Sequence, residues 1–83
     1  MSVKGYVLIE TEVGTAKSVA DRLRVVKHKD ADIIGVDTVT GPYDVIGQLQ
    51  ADDLNKLGTC ITEAIQTIHG VNRTTTCLTL VLD

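Results

Sequence analysis

The chain has 83 residues, with 8 Lys and Arg against 11 Asp and Glu for a formal net charge of −3. That length fits one compact domain (1–83), and the acidic balance argues against a surface that attracts phosphate backbones. Apolar residues make up 43% of the chain, too many for a disordered segment, yet Phe and Trp are absent, so the core has to be built from aliphatics.

In chain order, the first apolar stretch is Val3 to Ile9, short enough for a strand. From Ala16 the apolar positions fall at Ala16, Val19, Ala20, Leu23 and Val26, a helical stripe for which Thr15 is the expected cap. Ile33 to Val39 is β-branched and leads through the turn Thr40-Gly41-Pro42-Tyr43-Asp44 into Val45 to Ala51, which predicts a hairpin. Asp52 or Asp53 can cap a second helix whose stripe runs Leu54, Leu57, Ile61, Ala64, Ile65 and Ile68, with Gly70 placed to end it. Val71 to Leu82 closes the chain as a last strand. The order β-α-β-β-α-β predicts an α+β, ferredoxin-like fold: a four-stranded antiparallel sheet with two helices on one face.

Side chains alternate between the faces of a strand, which sets Leu78, Leu80 and Leu82 against Thr75, Cys77, Thr79 and Val81. The leucines are expected to meet the helices. In the first strand, Val7 and Ile9 oppose Tyr6 and Leu8; in the hairpin, Ile34 and Val36 are expected to oppose Ile33 and Val39. Both faces are therefore apolar, and two helices cover only one of them. The other is expected to pack on a second copy, giving a homodimer joined through its sheets. Cys60 and Cys77 are too few and too far apart for a disulfide framework or metal spacing, and are expected as separate buried or half-buried thiols.

The residues supply no catalytic constellation, no metal ligand set and no cofactor loop, so no enzyme activity, metal or cofactor is expected. His28 reads as the solvated end of the first helix, and His69 as a cation near the end of the second. Asp52 and Asp53 read as a cap rather than an acid/base pair. What remains is the turn Gly41, Pro42, Tyr43 and Asp44 together with Arg73-Thr74-Thr75-Thr76. Ordinary turn chemistry beside a β-prone strand accounts for both. The same groups also suit an amino acid: open backbone N–H groups, a phenol wall, a carboxylate for an ammonium and hydroxyls for a carboxylate.

The run Val39 to Asp44, and then His69-Gly70-Val71-Asn72-Arg73-Thr74-Thr75-Thr76 continuing to Leu82, resembles the effector-binding (RAM) domain of the Lrp/AsnC transcription regulators over essentially the whole chain. The resemblance implies a dimeric α/β barrel, further assembly into octameric or decameric rings, and an amino-acid effector near dimer–dimer contacts. Carried over by residue, the ligand-binding positions are Gly41, Pro42, Tyr43, Asp44, Thr74 and Thr76. Pro42 stands where many relatives have a polar residue, which stiffens the turn and removes an N–H. Full-length relatives also carry an N-terminal helix-turn-helix, whereas here the first strand begins almost at Met1; the expectation is a stand-alone effector domain without direct DNA binding. The implied role is sensing of an amino acid and tuning of a full-length Lrp/AsnC regulator by mixed assembly. The alternatives are a ligand-independent oligomerisation module and, less favoured, a small dimeric α/β-barrel enzyme. No apolar run approaches a bilayer's width and the N-terminus lacks signal-peptide features, so no membrane partner and a cytoplasmic location are expected.

Overall fold

The computed structural model describes residues 2–80. Its elements are β1 (Val3–Thr11), α1 (Ala16–Arg24), β2 (Ala31–Thr38), β3 (Val45–Ala51), α2 (Leu54–Cys60) continued by a π-helical turn (Ile61–Ile65), and β4 (Val71–Leu78). The strands form one antiparallel sheet in the order β2-β3-β1-β4, the arrangement expected for the ferredoxin-like plan. Val81 and Leu82, assigned to the last strand from the sequence, lie outside the described residues.

One face of the sheet and the inner sides of the helices make the core. Val7 and Ile9 from β1 and Val45 and Leu49 from β3 are fully buried, with Val19, Ala20, Leu23, Cys60 and Ile65 above them. Glycines set how near the helices come. A Cβ on Gly47 would lie 3.0 Å from the Leu23 side chain, and one on Gly5 would lie 3.2 Å from Leu57 and 3.1 Å from the Cys77 carbonyl. Both helices thus rest on bare backbone at these points.

The strand faces divide as expected in β1, but β2 differs. Its register against β3 shifts between Ile33 and Gly35. Ile33 lies opposite Leu49 and Val36 opposite Gly47, both on the helix side, so the bulge returns Ile33 and Val36 to the same face. Ile34 is left on the open face, 46% exposed. The extra residue of a bulge cancels one step of alternation, which is why strict counting pairs Ile34 with Val36 and the structure does not.

Several local expectations are also corrected. Thr15 stands at the start of α1 but makes no side-chain cap; its hydroxyl donates to the Glu12 carbonyl at 2.7 Å. Asp53, by contrast, accepts from the Lys56 N–H at 2.8 Å and caps α2. Leu54, on the expected stripe, faces solvent, because the stripe reaches the core only from Leu57 onward. His28 is not a solvated helix end: its side chain is 11% exposed, and its Nε2 lies 3.0 Å from Glu63. Leu80 is 77% exposed and Leu78 is 42% exposed, since β4 is the edge strand of the sheet and ends at Leu78. Cys77 is exposed rather than half-buried, while Cys60 is buried, and both are free thiols.

Gly70 holds φ +100°, and a Cβ there would lie 2.8 Å from the Thr15 hydroxyl and 3.0 Å from Val19. Gly70→Ala is therefore expected to lower stability by about 1–3 kcal/mol, read from urea unfolding. Burial, with smaller contributions from the charges of Asp30 and Glu63, pushes the Cys60 thiol above its ordinary pKa. Iodoacetamide at neutral pH should leave Cys60 unmodified in the folded protein and label it once urea is added.

Candidate functional site

The turn from Val39 to Asp44 closes the β2–β3 hairpin at the end of the sheet where β1 finishes and β4 begins. Three hydrogen bonds fix it there. Val39 N–H donates to the Asp44 carbonyl at 2.9 Å, and Asp44 N–H donates to the Ile9 carbonyl at 2.9 Å. The Asp44 carboxylate accepts from Thr11 N–H at 2.8 Å through Oδ2. Asp44 and Tyr43 are half-buried, whereas Gly41 and Pro42 are exposed at the tip. Gly41 has φ +140° and open space around it, so glycine is required here by backbone conformation and not by crowding.

Thr74 and Thr76 come from the far side of β1. They lie opposite Ile9 and Val7, so they face the helix layer, while Arg73, Thr75 and Cys77 lie opposite Glu10, Leu8 and Tyr6 on the open face. Thr74 is half-buried and its hydroxyl accepts from Gln66 Nε2 at 3.0 Å. Thr76 is exposed. A cleft of about 420 Å³ lies beside Thr74, lined also by Gln66, Val71, Asn72 and Arg73. Thr74 thus shares one end of the sheet with the turn, two strands or roughly 10 Å away, Thr76 lies further along β4 opposite the middle of β1, and this single chain does not merge these groups into one pocket.

Glu10, which the sequence does not single out, stands between them on β1, and Arg73 of the Arg73–Thr76 run faces it from β4. Glu10 lies on β1 opposite Arg73 on β4, their side chains 4.0 Å apart. Adjacent strands at this end therefore carry Asp44, Glu10 and Arg73, two carboxylates and a guanidinium. The sequence holds all three, but only the sheet register brings them side by side. Among the described residues there is no group of three His, Cys, Asp or Glu side chains able to hold a metal ion, and no helix is long and apolar enough to cross a membrane.

The open face carries Tyr6, 38% exposed, and Ile34, together with half-buried Leu8 and Ile46 and exposed Cys77. Gln48 Nε2 donates to the Tyr6 hydroxyl at 3.2 Å, and Gln50 reaches Ser2 at 3.0 Å. An apolar centre with polar neighbours is the composition of a surface that pairs with protein.

With this geometry in hand, comparison places the chain. Residues 4–81 match the Lrp/AsnC ligand binding domain. The chain belongs to that family. Among solved structures it is similar to TTHA0845 from Thermus thermophilus, at 25% identity and a TM-score of 0.83, covering 98% of this chain and 96% of that one. It is also similar to FFRP-DM1, at 26% identity and a TM-score of 0.82, covering 94% and 99%. The transcriptional regulator NMB0573 from Neisseria meningitidis, solved as a complex with L-Met, shares the fold at 16% identity and a TM-score of 0.80; 95% of this chain matches 50% of that one. No match is found among curated proteins.

Because Asp44 ties the turn to Thr11 across 33 residues of sequence, Asp44→Ala is expected to destabilise the domain by about 1–2 kcal/mol, and Asp44→Asn, which keeps an acceptor oxygen, by less. Urea denaturation of the two variants checks the order.

Proposed function

We propose that this Lrp/AsnC domain senses a small amino acid and assembles with copies of itself and with a full-length Lrp/AsnC regulator, acting in the cytoplasm without contacting DNA directly. The observation that carries this reading is the sheet end where Asp44, Glu10 and Arg73 stand on adjacent strands beside the Gly41–Asp44 turn. An ammonium suits the carboxylates, and a ligand carboxylate suits Arg73 and the turn's backbone N–H groups. Tyr43 supplies an amphipathic wall, and Thr74 and Thr76 border the opposite side of β1. In one protomer these groups form two half-sites. The reading therefore joins them through a neighbouring copy; that the ligand is an amino acid is in keeping with a regulator of the same fold solved with L-Met.

Dimerisation is proposed through the open face, with Tyr6, Leu8, Ile34 and Ile46 as its apolar centre and Cys77 inside the contact. Covering this face removes apolar side chains from water, the main source of association free energy. One observation favours the ligand-independent alternative: Asp44 Oδ2 is already engaged by Thr11 N–H, as a purely structural turn would require.

Calorimetric titration with the twenty amino acids is expected to find at least one ligand, bound roughly tenfold or more weakly by Asp44→Asn or Arg73→Gln. Silence across all twenty, with the assembly unchanged, would establish the ligand-independent module instead. In sedimentation the protein is expected as a dimer or larger ring, and Leu8→Glu should shift it towards monomer. A wild-type monomer at micromolar concentration removes the assembly.

A further inference from the structure

A cleft of about 640 Å³ lies away from the sheet end, in the outer groove between α1 and the α2–π-turn segment. Its floor is apolar: Val26, Ala64 and Ile68 pack against the core from below, and Val25 flanks them. Beyond one end, Thr15 and Val19 abut Gly70; beyond the other, His28 holds Glu63.

The nitrogen-bearing side chains on its walls are Arg22, from α1, and His69, from the residues after the π turn, and no carboxylate lines the cleft. The nearby acids are engaged elsewhere: Asp21 by Lys17 and Arg24 at 2.8 and 3.1 Å, and Glu63 by His28. Among the described residues Arg22 has no ion-pair partner. Ser18 and Thr67 also line the cleft, but their hydroxyls donate to the carbonyls of Thr15 and Glu63. They present lone pairs to the groove, so an anion there is met by Arg22 and His69. In a chain of net charge −3, Arg22 gives this groove a local positive charge at its rim, over an aliphatic floor.

We propose that this interhelical cleft binds a small amphipathic anion, a carboxylate carried on a short aliphatic body, with Arg22 and His69 on the carboxylate and Val26, Ala64 and Ile68 under the chain. The volume falls within the range of small-molecule sites. The charged head stays at the rim, where Arg22 meets it without loss of all hydration, and the tail covers aliphatic surface that is now half-buried. A hydroxyl or amine on the same ligand would find its acceptors in Ser18 and Thr67. This site is separate from the sheet-end reading and does not depend on it.

The test is titration of isotope-labelled protein with hexanoate, following methyl resonances. Hexanoate in the millimolar range is expected to shift Val26, Ala64 and Ile68, whereas hexanol at equal concentration leaves them in place. Arg22→Gln, an exposed substitution, should weaken hexanoate about tenfold with an unchanged urea midpoint. Asp44→Asn should leave hexanoate binding as it is, which separates this outcome from failure of the amino-acid site. The proposal is overturned if the groove methyls do not respond, if hexanol acts as well as hexanoate, if Arg22→Gln binds like the wild type, or if the shifts map to the sheet end.

Discussion

Burial of one side of a four-stranded sheet under two short helices is the constraint on which the other features rest. A nine-residue helix extends only about 14 Å, whereas strands of eight or nine residues run to nearly 30 Å. The helices cover the three strands β2, β3 and β1, over Val7, Ile9, Val45, Leu49, Ala31 and Ala51, and leave most of the edge strand β4 exposed. Gly5 and Gly47 make the cover tight where it exists: with no Cβ at either position, Leu57 and Leu23 descend to the backbone. Where the cover stops, Thr76 and Leu78 on the edge strand, and Leu80 just past it, are exposed. The opposite face receives no helix at all. What a monomer leaves unfinished in this way is surface suited to another chain.

The same economy places the chemistry. Core positions of β1 alternate with positions on the open face, so Glu10 follows buried Ile9, and Tyr6 precedes buried Val7. The sheet register then aligns residues from distant segments: Arg73 opposite Glu10, Cys77 opposite Tyr6, and Gln48 opposite Tyr6 on the other side. These juxtapositions are products of backbone pairing. They would be lost together by a one-residue slip, which the burial of Val7 and Ile9 opposes because a slip would expose both.

Much of this is legible without coordinates. The alternation of Val7 and Ile9 with Tyr6 and Leu8, the dense turn signal at Thr40 to Asp44, and Asp53 ahead of an apolar helical stripe each follow from local chemistry, and local chemistry decides them. The limits of β3, Val45–Ala51, coincide with the sequence reading for the same reason. Features set by partners far along the chain are not legible. Gly35 signals a bulge only once β3 is beside it, and nothing in Ile61–Ile65 marks a π turn by composition. His28 looks solvated until Glu63 arrives from 35 residues away. At the candidate site, the turn is visible as a motif, but the engagement of the Asp44 carboxylate by Thr11 is not. Nor is the separation of Thr74 and Thr76 from the turn by the whole width of β1.

The end of β1 joins the separate parts of the molecule. Thr11 is held by Asp44 from the hairpin turn, and the next residue, Glu12, donates its N–H to the Gly70 carbonyl at 2.8 Å. Glu12 also accepts, through its own carbonyl, from the N–H and hydroxyl of Thr15 at the start of α1. Within five residues the chain ties together the hairpin, the first helix and the entry to β4. Gly70 has to be glycine for this knot to close, because Thr15 occupies the space a side chain would need. The knot lies between the two regions with ligand chemistry: the charged sheet end on one side and the cationic interhelical groove on the other. It is built from backbone groups, the Thr15 hydroxyl and one carboxylate, so its geometry does not depend on Arg73 or Arg22, the side chains that would hold a ligand's carboxylate at either region. Substitutions at Arg73 or Arg22 can therefore alter recognition while the fold that positions them stays intact. Asp44 alone belongs both to the proposed site and to the scaffold.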